Sequence, residues 1–325
     1  IVIPVGTTCQ GQPTQVLMPV WEITSLAVTP KLGQNPGSRR MVQMEVAFKP
    51  PLIPPAPIST QAPVALQGSF ILNAYDSCSC TCTTTKVNGN NVTTCGGVGC
   101  KDKAHAIFTE NVVTQVGNSG QTTSSYGTDP TGSASLQNQN PWPDSLNINN
   151  LINQYKPGAS SPPFLNQCNG TANPLGIPPS YKNCGTQTNQ VFGTYPSSLS
   201  LDPPVEPTNY TGGVTEYIPG SVKLTSGASG GGILIVDGDL EINGGLNWYG
   251  LILVRGRVSF TGGAGDSTNL YGALLAGQDV TATDQAQQVG DKFGGSINFH
   301  YDVCALNNSG KGNPPQLLAT HEIMY

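Results

Sequence analysis

The chain has 325 residues, and Gly 40 with Pro 27 make about a fifth of them breakers of regular structure, just below the range at which disorder becomes the default. Charged residues are only 10 %, against about 25 % in an ordinary soluble domain, while 37 % hydrophobic residues allow a thin core. A net charge of −5, with 14 Lys and Arg scattered and one adjacent arginine pair at Arg39-Arg40, leaves no basic stripe for phosphates and excludes nucleic acid as a partner.

From the start, Ile1-Val-Ile-Pro-Val does not open a signal peptide, so any targeting segment is expected to have been removed or to lie outside this sequence. No run approaches the ~18 apolar residues of a membrane helix, and no membrane insertion is expected of these residues. Residues 21–29 (WEITSLAVT) and 40–48 (RMVQMEVAF) alternate with many Val, Ile and Thr about the turn chemistry of 30–38 (PKLGQNPGS), which predicts a hairpin. Residues 49–57 (KPPLIPPAP) read as an extended connector, because proline cannot donate to a sheet interior. Residues 67–75 (QGSFILNAY) read as a further strand leading into the cysteines.

Nine cysteines set the compartment. Cys78, Cys80, Cys82, Cys95 and Cys100 fall within 23 positions, while Cys9, Cys168, Cys184 and Cys304 lie apart. All nine are disulfide candidates, and the usage points to an oxidising, extracytoplasmic site. Cys78-Ser-Cys80-Thr-Cys82 puts three thiols on one strand face, but C-x-C-x-C fits zinc spacing poorly, with His105 the nearest histidine. Five clustered thiols cannot all pair among themselves, so one reaches Cys9, Cys304 or another subunit. Cys168 and Cys184 are 16 positions apart, and a bridge there stabilises by about 3 kcal/mol through loop entropy. No metal and no cofactor are expected.

Between 116 and 212 the chain is mostly Ser, Thr, Asn, Gly and Pro. One helix interrupts it: Asp144 or Ser145 caps a segment carrying Leu146, Ile148, Leu151, Ile152 and Tyr155, and Pro157-Gly158 ends it.

The last third repeats. Four segments, GILIVDGDLEI, GLILVRGRVSF, GALLAGQDVTA and GSINFHYDVCA, align at Ile233, Leu251, Ala273 and Ser296 and again at Leu240, Val258, Val280 and Val303. Both sets advance by 18, 22 and 23 residues. Helix-free periods of about 20 residues predict a parallel β-solenoid of about four rungs and exclude a βαβ fold. Residues 213–224 suit an atypical first rung or a cap. The fold class read from sequence is therefore mostly β: an N-terminal antiparallel, disulfide-stapled β-region over 1–115, a loop-rich connector with one short helix over 116–212, and a C-terminal parallel β-solenoid over 213–325.

Catalytic signatures are scarce. His105, His300 and His321 have no triad partners, and no G-x-S-x-G, H-E-x-x-H or P-loop string occurs. Asp237, Asp239, Asp266, Asp279, Asp284 and Asp302 include one pair, Asp279 and Asp302, at equivalent rung positions, which could serve glycoside cleavage or calcium binding. The column Asp239, Arg257, Asp279, Asp302 reads more simply as a polar bend. Trp248, Tyr249 and Tyr271, with Tyr301, form either a stacking column or a glycan platform. Sequons at Asn91, Asn169, Asn209 and Asn307 are expected by chance in a chain so rich in Asn and Thr.

The string GGILIVDGDLEINGGLNWYGLILVRGRVSFTGGAG, with LYGALLAGQDV after it, resembles the C-terminal region of PilX-type type IV pilus assembly proteins, large pilin-like proteins of Gram-negative bacteria. WEITSLAV with SRRMVQMEV resembles the strand pair that follows the pilin helix in that family, and the rungs are more weakly similar to bactofilins. Such proteins begin with a basic leader and an apolar helix, where this sequence has Ile1-Val-Ile-Pro-Val before polar Gly6-Thr-Thr-Cys9. The resemblance implies an extracellular or cell-surface structural subunit of a pilus-like filament or its assembly machinery, not an enzyme, whose partners are itself and other pilus components. Subunits would join by β-pairing, with Ile1, Val2, Ile3, Val5 at one end and Leu317, Leu318, Ile323 at the other as assembly candidates. The alternative is a carbohydrate-binding or adhesive module on Trp248, Tyr249 and Tyr271, with a β-helix polysaccharide-cleaving enzyme behind it.

Overall fold

The computed structural model describes residues 2–7, 13–17, 20–28, 39–47, 51–74, 76–77, 81–87, 90–96, 106–109, 111, 113–116, 124–126, 137–138, 142–172, 181–200, 207, 210–261, 267–277, 290–310 and 316–324. The chain is mostly β and divides into two units, one of residues 1–51 with 313–325 and the other of residues 52–312. This division differs from the three consecutive spans expected from sequence, because strand pairing joins segments more than 200 positions apart.

The first unit is antiparallel. β1 (Val2–Thr7) pairs with β2 (Pro13–Leu17). β3 (Val20–Val28) pairs with β4 (Arg39–Ala47) from Val20↔Ala47 to Val28↔Arg39, the hairpin that the alternating pattern predicts. The tail of the chain returns to this sheet, as described below.

The second unit is wound from parallel strands in two sheets. It opens with β5 (Ile58–Thr60), β6 (Val64–Gln67) and β7 (Ser69–Asn73). An antiparallel hairpin of β8 (Thr81–Val87) and β9 (Asn90–Gly96) follows. Next come β10 (Ile107–Thr109), β11 (Val113–Val116), β12 (Ser124–Tyr126) and β13 (Gln137–Asn138). Helix α1 (Ile148–Tyr155) precedes β14 (Asn169–Ala172), β15 (Tyr181–Thr188) and β16 (Val191–Phe192). The winding then runs through β17 (Val214–Ile218), β18 (Ser221–Thr225), β19 (Ala228–Val236), β20 (Leu240–Asn243), β21 (Leu246–Val254), β22 (Val258–Thr261) and β23 (Ser267–Ala276). It closes with β24 (Asp291–Gly294), β25 (Ser296–Tyr301) and helix α2 (Val303–Ser309). Last, β26 (Gln316–Met324) pairs antiparallel with β4, making the first unit's sheet β26-β4-β3.

One sheet of the second unit orders β12-β7-β25-β23-β21-β19-β16 and the other β11-β6-β24-β22-β20-β18-β15-β14. From β18 to β25 consecutive strands alternate between the two sheets, so each coil adds one strand to each. The first part of the repeat register holds: Ile233 pairs with Leu251 and Leu251 with Ala273, while Leu240 pairs with Val258.

The fourth repeat is corrected. Ser296 lies opposite Ser267 rather than Ala273, Val303 begins α2, and Val280 is outside the described residues. The second strand of that coil is β24, whose Lys292 pairs with Ser259. Residues 277–290 sit between β23 and β24, and an even-spaced alignment spreads that insertion over the wrong segment. The strand expected at 67–75 is also reassigned. β6 and β7 extend the parallel sheets against β24 and β25, and β5 lies against the last three residues of β23. At the opposite end, β15 and β16 come from the supposed loop-rich connector and pair in parallel with β18 and β19.

The sheet containing β19, β21 and β23 is covered on both faces, which is why its strands read as unbroken apolar runs rather than alternating ones. Leu234, Val236, Ile252, Val254 and Leu274 point inward to the core shared with the other sheet. Ile233, Ile235, Leu251, Leu253 and Leu275 point outward against Ile148, Leu151, Ile152 and Tyr155 of α1. Each such fully buried aliphatic side chain stabilises by about 1.5–3 kcal/mol. The cap of α1 is Asn147, whose side chain accepts from Asn150 N at 3.1 Å; Asp144 and Ser145 belong to a preceding 3₁₀ turn. Gly232, Gly250 and Gly272 stack in register at φ 108°, 130° and 132°. A Cβ on Gly250 would sit 2.2 Å from the Gly232 carbonyl oxygen, so the stack requires glycine twice over, for conformation and for space.

Candidate functional site

Three groups of side chains were singled out by sequence: a carboxylate column, an aromatic group and the chain ends. In the carboxylate column, Asp239 and Arg257 occupy successive coils as expected, with Arg257 N donating to Asp239 Oδ1 at 2.9 Å. Beside it, one position along in register, lies Asp291, which accepts from Val258 N at 2.7 Å and from the Thr60 hydroxyl. Asp302 is elsewhere: it caps α2, accepting from Ala305 N at 2.8 Å and from Ser77 Oγ at 2.7 Å. Asp266, Asp279 and Asp284 lie outside the described residues, so no Asp279/Asp302 pair enters the geometry.

Burial dominates the electrostatics of this column. It raises Asp239 to about 6, against the Arg257 amide and guanidinium, which lower it. It raises Asp291 to about 7, opposed by Thr60, the Val258 amide and Arg257, and reinforced by the charge of Asp239. Both carboxyls are almost wholly enclosed, so what they can do is hold successive coils together at a corner; a polysaccharide cannot reach them. A second layer outside it ties α1 to the coils. Asp237 accepts from Arg255 and, at 2.5 Å, from the Tyr217 hydroxyl, while Arg255 also donates to Asn149 of α1. Lys156 Nζ lies 4.5 Å from the Tyr217 ring centroid.

The glycan platform is overturned by burial. Trp248 is 0 % exposed in the inner core, beside Phe192 at 6.4 Å, with its indole N–H unpartnered. Tyr249 and Tyr271 are buried on the outer face with Leu199, Tyr210 and Ala305 of α2. Tyr271 stacks on His300 with centroids 4.6 Å apart and planes 8° from parallel, and Tyr210 packs edge-on to Tyr249 at 4.7 Å. The expected column of Trp248, Tyr249, Tyr271 and Tyr301 is thus divided: Tyr249 and Tyr271 share the outer cluster, Trp248 lies in the inner core and Tyr301 in a separate cluster. Burial lowers His300 to about 4, keeping it neutral in the stack. Tyr301, at the end of β25, donates its hydroxyl to Pro54 O at 2.9 Å.

A ladder that the sequence reading passed over runs along the same sheet. Asn269 donates to Asn247 Oδ1 at 2.7 Å and Asn298 donates to Asn269 Oδ1 at 3.0 Å. The signal was present in the sequence, as an asparagine four residues before Leu251 and again before Ala273.

Cys168 and Cys184 form a disulfide, as their spacing suggested, and Cys304 is disulfide-bonded too. Cys82 pairs with Cys95 in the backbone register of the β8–β9 hairpin. Cys9, Cys78, Cys80, Cys100 and His105 lie outside the described residues.

The chain-end assembly candidates are engaged within the chain. Val2 pairs with Leu17 and Ile3 with Val16, with Val5 further along β1; Ile1 is outside the described residues. Leu317 pairs with Val46 and Ile323 with Met41, with Leu318 at a register shift in β26, which also carries exposed His321. The exposed apolar strand is one that sequence reading had assigned only a hairpin role. β3 shows Trp21 at 43 %, Ile23 at 47 %, Leu26 at 58 % and Val28 at 47 %. No protein-family model, curated protein or solved structure matches the chain.

Proposed function

We propose that this chain is an extracytoplasmic structural subunit of a pilus-like filament or of its assembly machinery, acting by strand pairing between subunits rather than by catalysis. The observation that carries the reading is the exposed apolar strand β3 at the edge of the first unit's sheet, in a chain whose second unit has its aromatic and acidic columns buried. An open sheet edge is a template for another strand, and proteins that do not use one protect it. Supporting features in the second unit are those of a β-solenoid: parallel sheets, chain alternating between them, and stacked glycine, asparagine and aromatic columns. The disulfide at Cys168–Cys184 and the bonded Cys304 agree with an oxidising compartment. Among the described residues no helix is long and apolar enough to cross a membrane. The partners proposed are further copies and other pilus components, not nucleic acid.

Negative-stain electron microscopy of the native material, with N-terminal sequencing of the same sample, tests this reading. Filaments containing this chain are the expected result. Monodisperse particles at all concentrations overturn the subunit role.

A further inference from the structure

We infer that strand β3 is the contact between two copies of this chain, which join their edges antiparallel about a two-fold axis at Thr24. The inference rests on the structural-subunit reading and names the edge and the partner.

Of the six large hydrophobic residues that stand exposed among the described residues, four (Trp21, Ile23, Leu26 and Val28) are on this one strand. β3 is nine residues long and pairs with β4 without a register break. It therefore offers a regular, unbulged outer edge to which none of the described strands is added. Edges that must stay free carry lysine, proline or a bulge. VWEITSLAV has none of these, and its single charge is Glu22. The opposite edge of the same sheet differs: β26 has a register shift between Leu317 and Ala319, an exposed His321 and an ion pair from Glu322 to Arg40 at 2.6 Å.

Charge selects the occupant and its direction. Glu22 already lies directly opposite Glu45 of β4, a like-charge pair that is unfavourable in a sheet. A second copy added parallel and in register would set a third carboxylate beside them. Added antiparallel about Thr24, it sets Glu22 against Leu26 of the mate, and the two Glu22 residues stand about 13 Å apart along the strands, beyond the ~8 Å screening length at physiological salt. The same register brings Val20 against Val28 and Trp21 against Ala27, and places the two Ile23 side chains on a diagonal within reach of each other. The strand is thus complementary to itself in one direction only. Such a two-fold contact joins copies in pairs, and a filament needs a second, different contact.

The test uses the full chain. Analytical ultracentrifugation over a range of concentrations should show a reversible dimer. The double variant Ile23→Lys/Leu26→Lys, altered only at exposed side chains, should be monomeric with an unchanged far-UV circular dichroism spectrum. If both lysines misfold the chain, Thr24→Cys decides: mild oxidation should give a covalent dimer, whereas Val20→Cys, which faces Val28, should not cross-link. A wild-type monomer at every concentration overturns the inference, as does a dimer that survives both lysines or a cross-link that forms equally at residues 20 and 24. Filaments that persist in the double variant overturn this edge and leave the subunit reading standing. A β3-dependent dimer that never forms filaments does the reverse.

Discussion

Strands β21 and β3 are both nine residues long and both rich in aromatic and aliphatic side chains, yet their surroundings are opposite. Along LNWYGLILV all but Asn247 are buried, whereas along VWEITSLAV all but Val20 are exposed. The first strand has a neighbour on each side in its sheet, a second sheet beneath it and helices above. The second has one neighbouring strand among the described residues. Apolar composition alone therefore does not say which strand belongs to a core and which stays exposed. What distinguishes them is repetition: β21 has equivalents 18 residues before it and 22 after it, and β3 has none.

The contrast can be tested by substitutions of decreasing severity. Gly250→Ala should cost more than about 3 kcal/mol, because it combines the strain of a positive φ with a Cβ pressed on the Gly232 carbonyl; chemical denaturation followed by circular dichroism reads the loss. Trp248→Ala should lower stability by about 3–5 kcal/mol, while Trp21→Ala should change it by under about 0.5 kcal/mol in the monomer. Equal effects would mean that β3 is covered in solution.

A subtler test uses pH. Asp239 and Asp291 titrate at about 6 and about 7 in the fold, above the 3.8 of the free side chain, so the folded chain holds more protons and their contribution to stability is lost as pH rises from about 4 through 7. His300, lowered from 6.5 to about 4, works in the other direction, its contribution being lost as pH falls from about 6.5 toward 4. Asp291→Asn should flatten the decline of thermal stability between pH 5 and 7 measured by calorimetry, roughly where the two trends overlap. A loss smaller than that at Trp248 is expected at the helix cap, where Asn147→Ala should cost about 1 kcal/mol by the same denaturation assay.

Much of this was legible in the sequence, and the failures have physical causes. The β3–β4 hairpin, the Leu146–Tyr155 apolar face, the Cys168–Cys184 bridge and the register of Ile233 with Leu251 and Ala273 are all local or periodic patterns. Placement of β5, β6 and β7 in the parallel sheets was not legible, because on one side their partners are the short strands β10, β11 and β12, on the other they lie more than 200 residues away, and a short strand does not encode its neighbour. The aromatic residues misled for a related reason. Tyr249 and Tyr271 do point away from the inner core, as an outward platform would, but α2 lies over them, and the repeat alignment had read Val303 in that helix as part of a rung. Asp302 was likewise mistaken for a column member, although Asp followed three residues later by Ala305 in an apolar segment suits a helix cap.

The pairing of β5, β6 and β7 with β23, β24 and β25 also sets an order of events. A chain emerging from the ribosome makes residues 58–73 early and their partners β10, β11 and β12 soon after, but their second neighbours follow only after residue 267. The β4 strand has the same delay with respect to β26. Contacts of such sequence separation give slow folding, since a long loop must close before any pairing compensates for it. These strands are thus flanked early on one side and last on the other, and a truncated chain lacking its final sixty residues would leave β4, β5, β6 and β7 each with one neighbour missing.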